Sequence, residues 1–92
     1  MRLVLVEWND AASLRSSGWK SIDEANDLSP SLVRSVGWLA VDHADYVVIV
    51  SHTADSDKCD GEVCIPRGMI SRVADLVECL LTIDAAEQRQ KE

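Results

Sequence analysis

Arg67-Gly68 is the step in this chain best suited to holding a charged ligand. Arginine presents a planar fork of donors that matches a phosphate or a base edge. The glycine beside it lets a ligand approach the backbone closely. Asp42, His43 and Asp45 add two carboxylates and an imidazole within one short segment. Trp19 follows Ser16-Ser17-Gly18 in a loop, and an exposed indole face can stack a base. Arg67, Gly68, Asp42, His43, Asp45 and Trp19 form the candidate ligand-binding set. The plainer reading of Arg67 is a turn arginine paired with one of the 16 acids of the chain, a common surface arrangement. Trp8 and Trp38 read as core rings, because the chain has no Phe to fill that role.

Other reactive groups lead to weaker chemistry. Asp55, Asp57, Asp60-Gly61 and Glu62 invite a calcium-loop reading. The spacing fails, because such a loop needs acids at positions 1, 3 and 5, glycine at 6 and glutamate at 12. A solvated loop closed by an Asp-Gly turn is the plainer reading. His52, Cys59 and Cys64 could supply imidazole and thiolates to zinc, but a fourth ligand is missing unless His43 or an aspartate serves. No metal and no cofactor is therefore expected. Neither thiol sits beside a helix start or an oxyanion hole, so a thiol enzyme is disfavoured. Glycines 18, 37, 61 and 68 are scattered and build no phosphate loop. No catalytic residue is assigned, and a non-enzymatic protein is expected.

These residues must be positioned by short elements. Arg2–Glu7 (RLVLVE) reads as a strand. Ser21 and Glu24 match a capping box opening a helix over Ile22–Asp27, which Ser29-Pro30 stops. Leu32–Val41 and Tyr46–His52 read as strands joined by the short connection 42–45. Residues 53–61 read as a polar loop. Glu62–Ile65 reads as a fourth strand, interrupted by Pro66, and Met69–Val73 as a fifth. Ile70, Val73, Ala74, Val77, Leu80 and Leu81 also fall on a helical stripe. Residues 69–74 are thus strand or helix by pattern; a brief strand followed by a helix over 75–88 is favoured.

The chain has 92 residues, enough for one domain spanning 1–92. A domain this small has little core to spare, so a homo-oligomer is expected. Its formal net charge is −7. That charge disfavours duplex DNA, whose affinity comes from Lys and Arg displacing counterions. Leu3–Val6 is too short for a signal-peptide core, and no long apolar run exists. A soluble, cytoplasmic protein without membrane contact is expected. Three cysteines, an odd number, argue against a disulfide framework.

Val36-Gly37-Trp38-Leu39, Asp45 and Val47-Val48-Ile49, followed by Ile65, Arg67-Gly68 and Ile70, resemble the two motifs of Sm-like proteins. The hairpin is about two residues longer than the family's, so Asp42 or Asp45 takes the aspartate place. Pro66 departs from the second motif, and a strand-like RLVLVE precedes the helix. The resemblance spans roughly residues 21–73. It implies an α+β fold: a small five-stranded antiparallel barrel over about 31–74, a short N-terminal helix and a C-terminal helix. It further implies ring-like oligomers that bind RNA bases or nucleotides between subunits.

A second resemblance is to small proteins of bacterial viruses and prophages. Trp8 with Asp10-Ala11, Gly18-Trp19, Asp23-Glu24-Ala25, Val36-Gly37-Trp38-Leu39 and Ile65-Pro66-Arg67-Gly68 carry it. It implies an accessory protein in the host cytoplasm that counters a defence. Together these readings predict an oligomeric sponge for a signalling nucleotide. The alternatives are an acidic inhibitor of a host protein, such as a nucleic-acid-guided nuclease, or an Sm-like RNA binder using Arg15, Lys20, Arg34, Arg67 and Arg72.

Overall fold

Val4 and Val6 point to one side of the first strand and Leu5 to the other, as the two-residue period of a strand requires. Both valines are fully buried, and this strand, β1 (Leu3–Asp10), lies between two neighbours. A computed structural model of the chain describes residues 1–14 and 18–79. After β1 come a short helix α1 (Ile22–Asn26), β2 (Ser31–Asp42), β3 (Tyr46–Val50), β4 (His52–Ala54), β5 (Lys58–Asp60) and β6 (Val63–Pro66). A 3-10 turn (Arg67–Met69) then leads into β7 (Ile70–Asp75). Five strands form one antiparallel sheet in the order β6-β3-β2-β1-β7, while β4 and β5 pair separately.

Register assigns the faces. Val4 pairs with Gly37, Val6 with Ser35 and Val73, and Val47 with Ile65. These positions line the inner face. Val4, Val6, Val47, Ile49 and Ile65 form the buried cluster, with Trp8, Leu39 and Ile70 packed against it. Each such aliphatic side chain contributes about 1.5–3 kcal/mol when fully buried. The Trp8 Nε1–H donates to Ser35 Oγ at 3.0 Å, which satisfies the one polar atom of a half-buried ring. At Gly37 the backbone of β2 packs against β3 with no room for a side chain. A Cβ there would lie 2.8 Å from the Val50 carbonyl oxygen and 3.2 Å from Ile49 Cβ.

The structure corrects the expected fold. The protein is mostly β, and the sheet is not a closed barrel. Closure would need a ladder between the edge strands, and β6 and β7 have none. Pro66, which ends β6, lacks the N–H that such a ladder would use. The sheet also starts earlier than residue 31, because β1 is an inner strand that supplies Val4 and Val6 to the core. Of the helix expected over 75–88, Asp75 closes β7 and residues 76–79 are not helical; residues 80–88 lie outside the described residues. β7 is a strand because β1 offers it an edge, with Val6 opposite Val73 and Leu5 opposite Ala74.

Residues 53–61 are not a plain loop. Thr53 pairs with Cys59 in the β4–β5 hairpin, whose turn holds Asp55 (φ 55°) and Ser56 (φ 69°) in the left-handed region. Short polar side chains tolerate that region better than most. The helix α1 begins at Ser21, whose side chain accepts from the Glu24 amide at 3.2 Å. It buries none of its residues.

Candidate functional site at the 42–45 connection

The connection between β2 and β3 is closed by the His43 N–H, which donates to the Tyr46 carbonyl at 3.0 Å. The Asp45 N–H donates to His43 Nδ1 at 3.1 Å. That bond uses the Nδ1 lone pair, so the 3.9 Å approach of Asp45 Oδ2 to the same nitrogen is not an ion pair in this state. The imidazole stacks on the Tyr46 ring, with centroids 4.5 Å apart and planes inclined by 12°.

Arg67 docks onto this connection from the end of β6. Its backbone N–H donates to the Asp45 carbonyl at 2.9 Å. Its Nε donates to the His43 carbonyl at 2.8 Å, and its guanidinium pairs with the Asp42 carboxylate. The structure therefore brings together Arg67, Asp42, His43 and Asp45 from the sequence-predicted set. Gly68 adjoins them in the 3-10 turn, with open space where a Cβ would stand.

Trp19 does not join the cluster. It precedes α1, which leads into the start of β2, whereas the 42–45 connection follows the end of β2. The 12 residues of β2 separate the two, roughly 40 Å of chain at the rise of a strand. The Trp19 side chain is fully exposed.

Beside the cluster is a recess of about 160 Å³ lined by Arg2, Leu39, Asp42, Val47, Arg67 and Val73. Pockets for small organic ligands usually span about 300–1,000 Å³. Arg2, at the same recess, is taken by Asp75, with Nη2 to Oδ1 at 2.7 Å. Both cations at its mouth are thus paired. Among the described residues, no three His, Cys, Asp or Glu side chains gather as a metal site. Cys59, Cys64 and Cys79 are exposed free thiols. Among the described residues, no helix is long and apolar enough to cross a membrane.

Sequence reasoning missed a second charged cluster. Glu7 on β1 lies between Arg34 on β2 and Arg72 on β7, at 3.5 and 2.9 Å. Ser71 Oγ also donates to the Glu7 carbonyl at 3.0 Å. The available signal was Glu7 alternating with Leu3 and Leu5, which places it on the outer face. Its two partners became visible only with the register.

The fold and the cluster define a small, mostly β protein on an open five-stranded antiparallel sheet. No protein-family model matches the chain, and no curated protein or solved structure matches it. The Sm-like and viral resemblances therefore rest on the residues that suggested them.

Proposed function

We propose that this chain is a non-enzymatic binding protein that acts on a protein partner through its acidic surface. The single observation that carries this reading is the engagement of Arg67. Its guanidinium is neutralised by Asp42 and directed onto the His43 carbonyl. A phosphate would have to displace that carboxylate, at a recess smaller than a nucleotide needs. No charged side chain among the described residues is buried, so their charges face solvent. Exposed carboxylates can imitate the phosphates of a nucleic acid on a basic protein. The likeness to small viral proteins directs the search to a host defence factor that handles nucleic acid. Two sheet edges support a homo-oligomer: among the described residues β6 and β7 each pair on one side only, leaving ladder groups for a second copy.

The test is native mass spectrometry with cyclic dinucleotides, cyclic trinucleotides and ADP-ribose compounds, paired with affinity capture from host lysate at low and high salt. The expected result is a stoichiometric protein complex that salt dissociates, with no mass shift from any nucleotide. A shift by whole nucleotides that Arg67→Ala abolishes would overturn this reading in favour of nucleotide sequestration.

A further inference from the structure

Between β1 and β2, Trp19, Ile22 and Leu28 stand in water. Trp19 is 105% exposed and Ile22 78%, Leu28 is also exposed, and Leu32 near the start of β2 is 66% exposed. α1 covers no part of the core and is capped by the Ser21 side chain. A tryptophan left out of a core that lacks phenylalanine forgoes burial the fold would otherwise use. Tryptophan is also enriched among the residues that dominate protein interfaces. Close to Trp19 along the chain are exposed carboxylates, Asp23 and Glu24 in the first turn of α1 and Asp27 at its end, while Asp10 pairs with Ser31 where β1 meets β2. The nearby Lys20 ammonium donates to the Gly18 carbonyl at 3.1 Å.

Charge selects the occupant. A second copy of this patch would set carboxylates against carboxylates, which costs affinity. An anionic lipid surface is repelled for the same reason. A protein hollow that is aromatic or apolar inside and arginine-rich at its rim fits both the ring and the acids. We propose that Trp19, Ile22 and Leu28 dock into such a basic protein surface, with Trp19 as the anchor and Asp23, Glu24 and Asp27 contacting the rim. This proposal rests on the protein-binding reading above and names its surface.

The experiment titrates the full chain with two labelled peptides of equal positive charge, one alternating arginine with tyrosine, the other lysine with serine, by fluorescence anisotropy. The arginine–tyrosine peptide should bind saturably and more tightly than its counterpart. Trp19→Ala should weaken it on the order of thirtyfold, the scale of an interface anchor. The triple change Asp23→Asn, Glu24→Gln, Asp27→Asn should weaken it less and flatten its salt dependence. Val36→Ser, on the outer face of the sheet, should bind as the parent does. Equal binding of both peptides, with Trp19→Ala unaffected, overturns this surface but leaves an acidic protein binder. Failure of both peptides to bind also overturns it. The broader reading is then decided separately, by the salt-sensitive complex and the nucleotide assay.

Discussion

Arg67 makes three contacts to the 42–45 connection, one from its backbone and two from its side chain. Its side chain and that of Asp42 are 39% and 51% exposed, so water screens the ion pair and its worth is small. The bond to the His43 carbonyl is charge-assisted and stronger. Arg67→Ala should therefore cost about 1–2 kcal/mol, a loss of roughly 4–15 °C in Tm for a domain this size. Arg67→Lys should recover little, because an ammonium cannot replace the fork that spans a carboxylate and a carbonyl. Urea unfolding checks both, and unchanged stability in Arg67→Ala would show that the latch contributes nothing to the fold. The docking of Arg67 on Asp42 and His43 was not foreseen beyond a shared ligand-binding set, whereas the exposure of Trp19 after Ser16-Ser17-Gly18 was legible in the sequence. Their separation was not, because it depends on which end of β2 each one flanks.

Elements were legible where side-chain type and period agree. The β-branched run Val47-Val48-Ile49-Val50 and the Val- and Leu-rich Leu3–Val6 run read as strands, and β3 and β1 cover them, β1 running on to Asp10. The β4–β5 hairpin was missed because its residues are polar and exposed, and its turn uses Asp55 and Ser56 rather than glycine. β7 was ambiguous because Ile70, Val73 and Ala74 satisfy helical spacing as well; the partner strand β1 decides between them. Sheet closure is a long-range property that no local pattern encodes. Two predictions belong to this scale. Gly37→Ala places a methyl against the backbone oxygen of Val50 and should cost about 1–3 kcal/mol, as overpacking does. Gly68→Ala meets open space and should change stability by less than about 0.5 kcal/mol. A reversed order in chemical denaturation would contradict the close approach of β3 to Gly37. Ser21→Ala removes the cap of α1, worth about 1 kcal/mol to that helix. Because α1 buries nothing, global Tm should stay unchanged while amide exchange at residues 22–26 accelerates. A matching drop in Tm would mean that α1 is coupled to the core.

At the scale of the molecule, charge and core act against each other. Among the described residues the buried cluster is five aliphatic side chains, a modest hydrophobic contribution. Against it stand 16 acids and 9 strong bases. The bases Arg2, Arg34, Lys58, Arg67 and Arg72 already sit within 4 Å of a carboxylate. Asp10, Asp23, Glu24, Asp27, Asp57, Asp60 and Glu62 are exposed and take part in no ion pair among the described residues. Folding brings these negative charges closer together than they are in an open chain, which weakens the compact state. Salt screens that repulsion over a Debye length of about 10 Å at 0.1 M. It also screens the five pairings, of which the three away from Glu7 are exposed and each worth under about 1 kcal/mol, while the two sharing the half-buried Glu7 are screened less. The repulsion should dominate, so Tm should rise between low salt and about 0.3 M sodium chloride, where the Debye length has fallen to roughly 6 Å. Scanning calorimetry across that range decides the matter. A falling Tm would show that the ion pairs, Arg67–Asp42 and Arg72–Glu7 among them, outweigh the net charge.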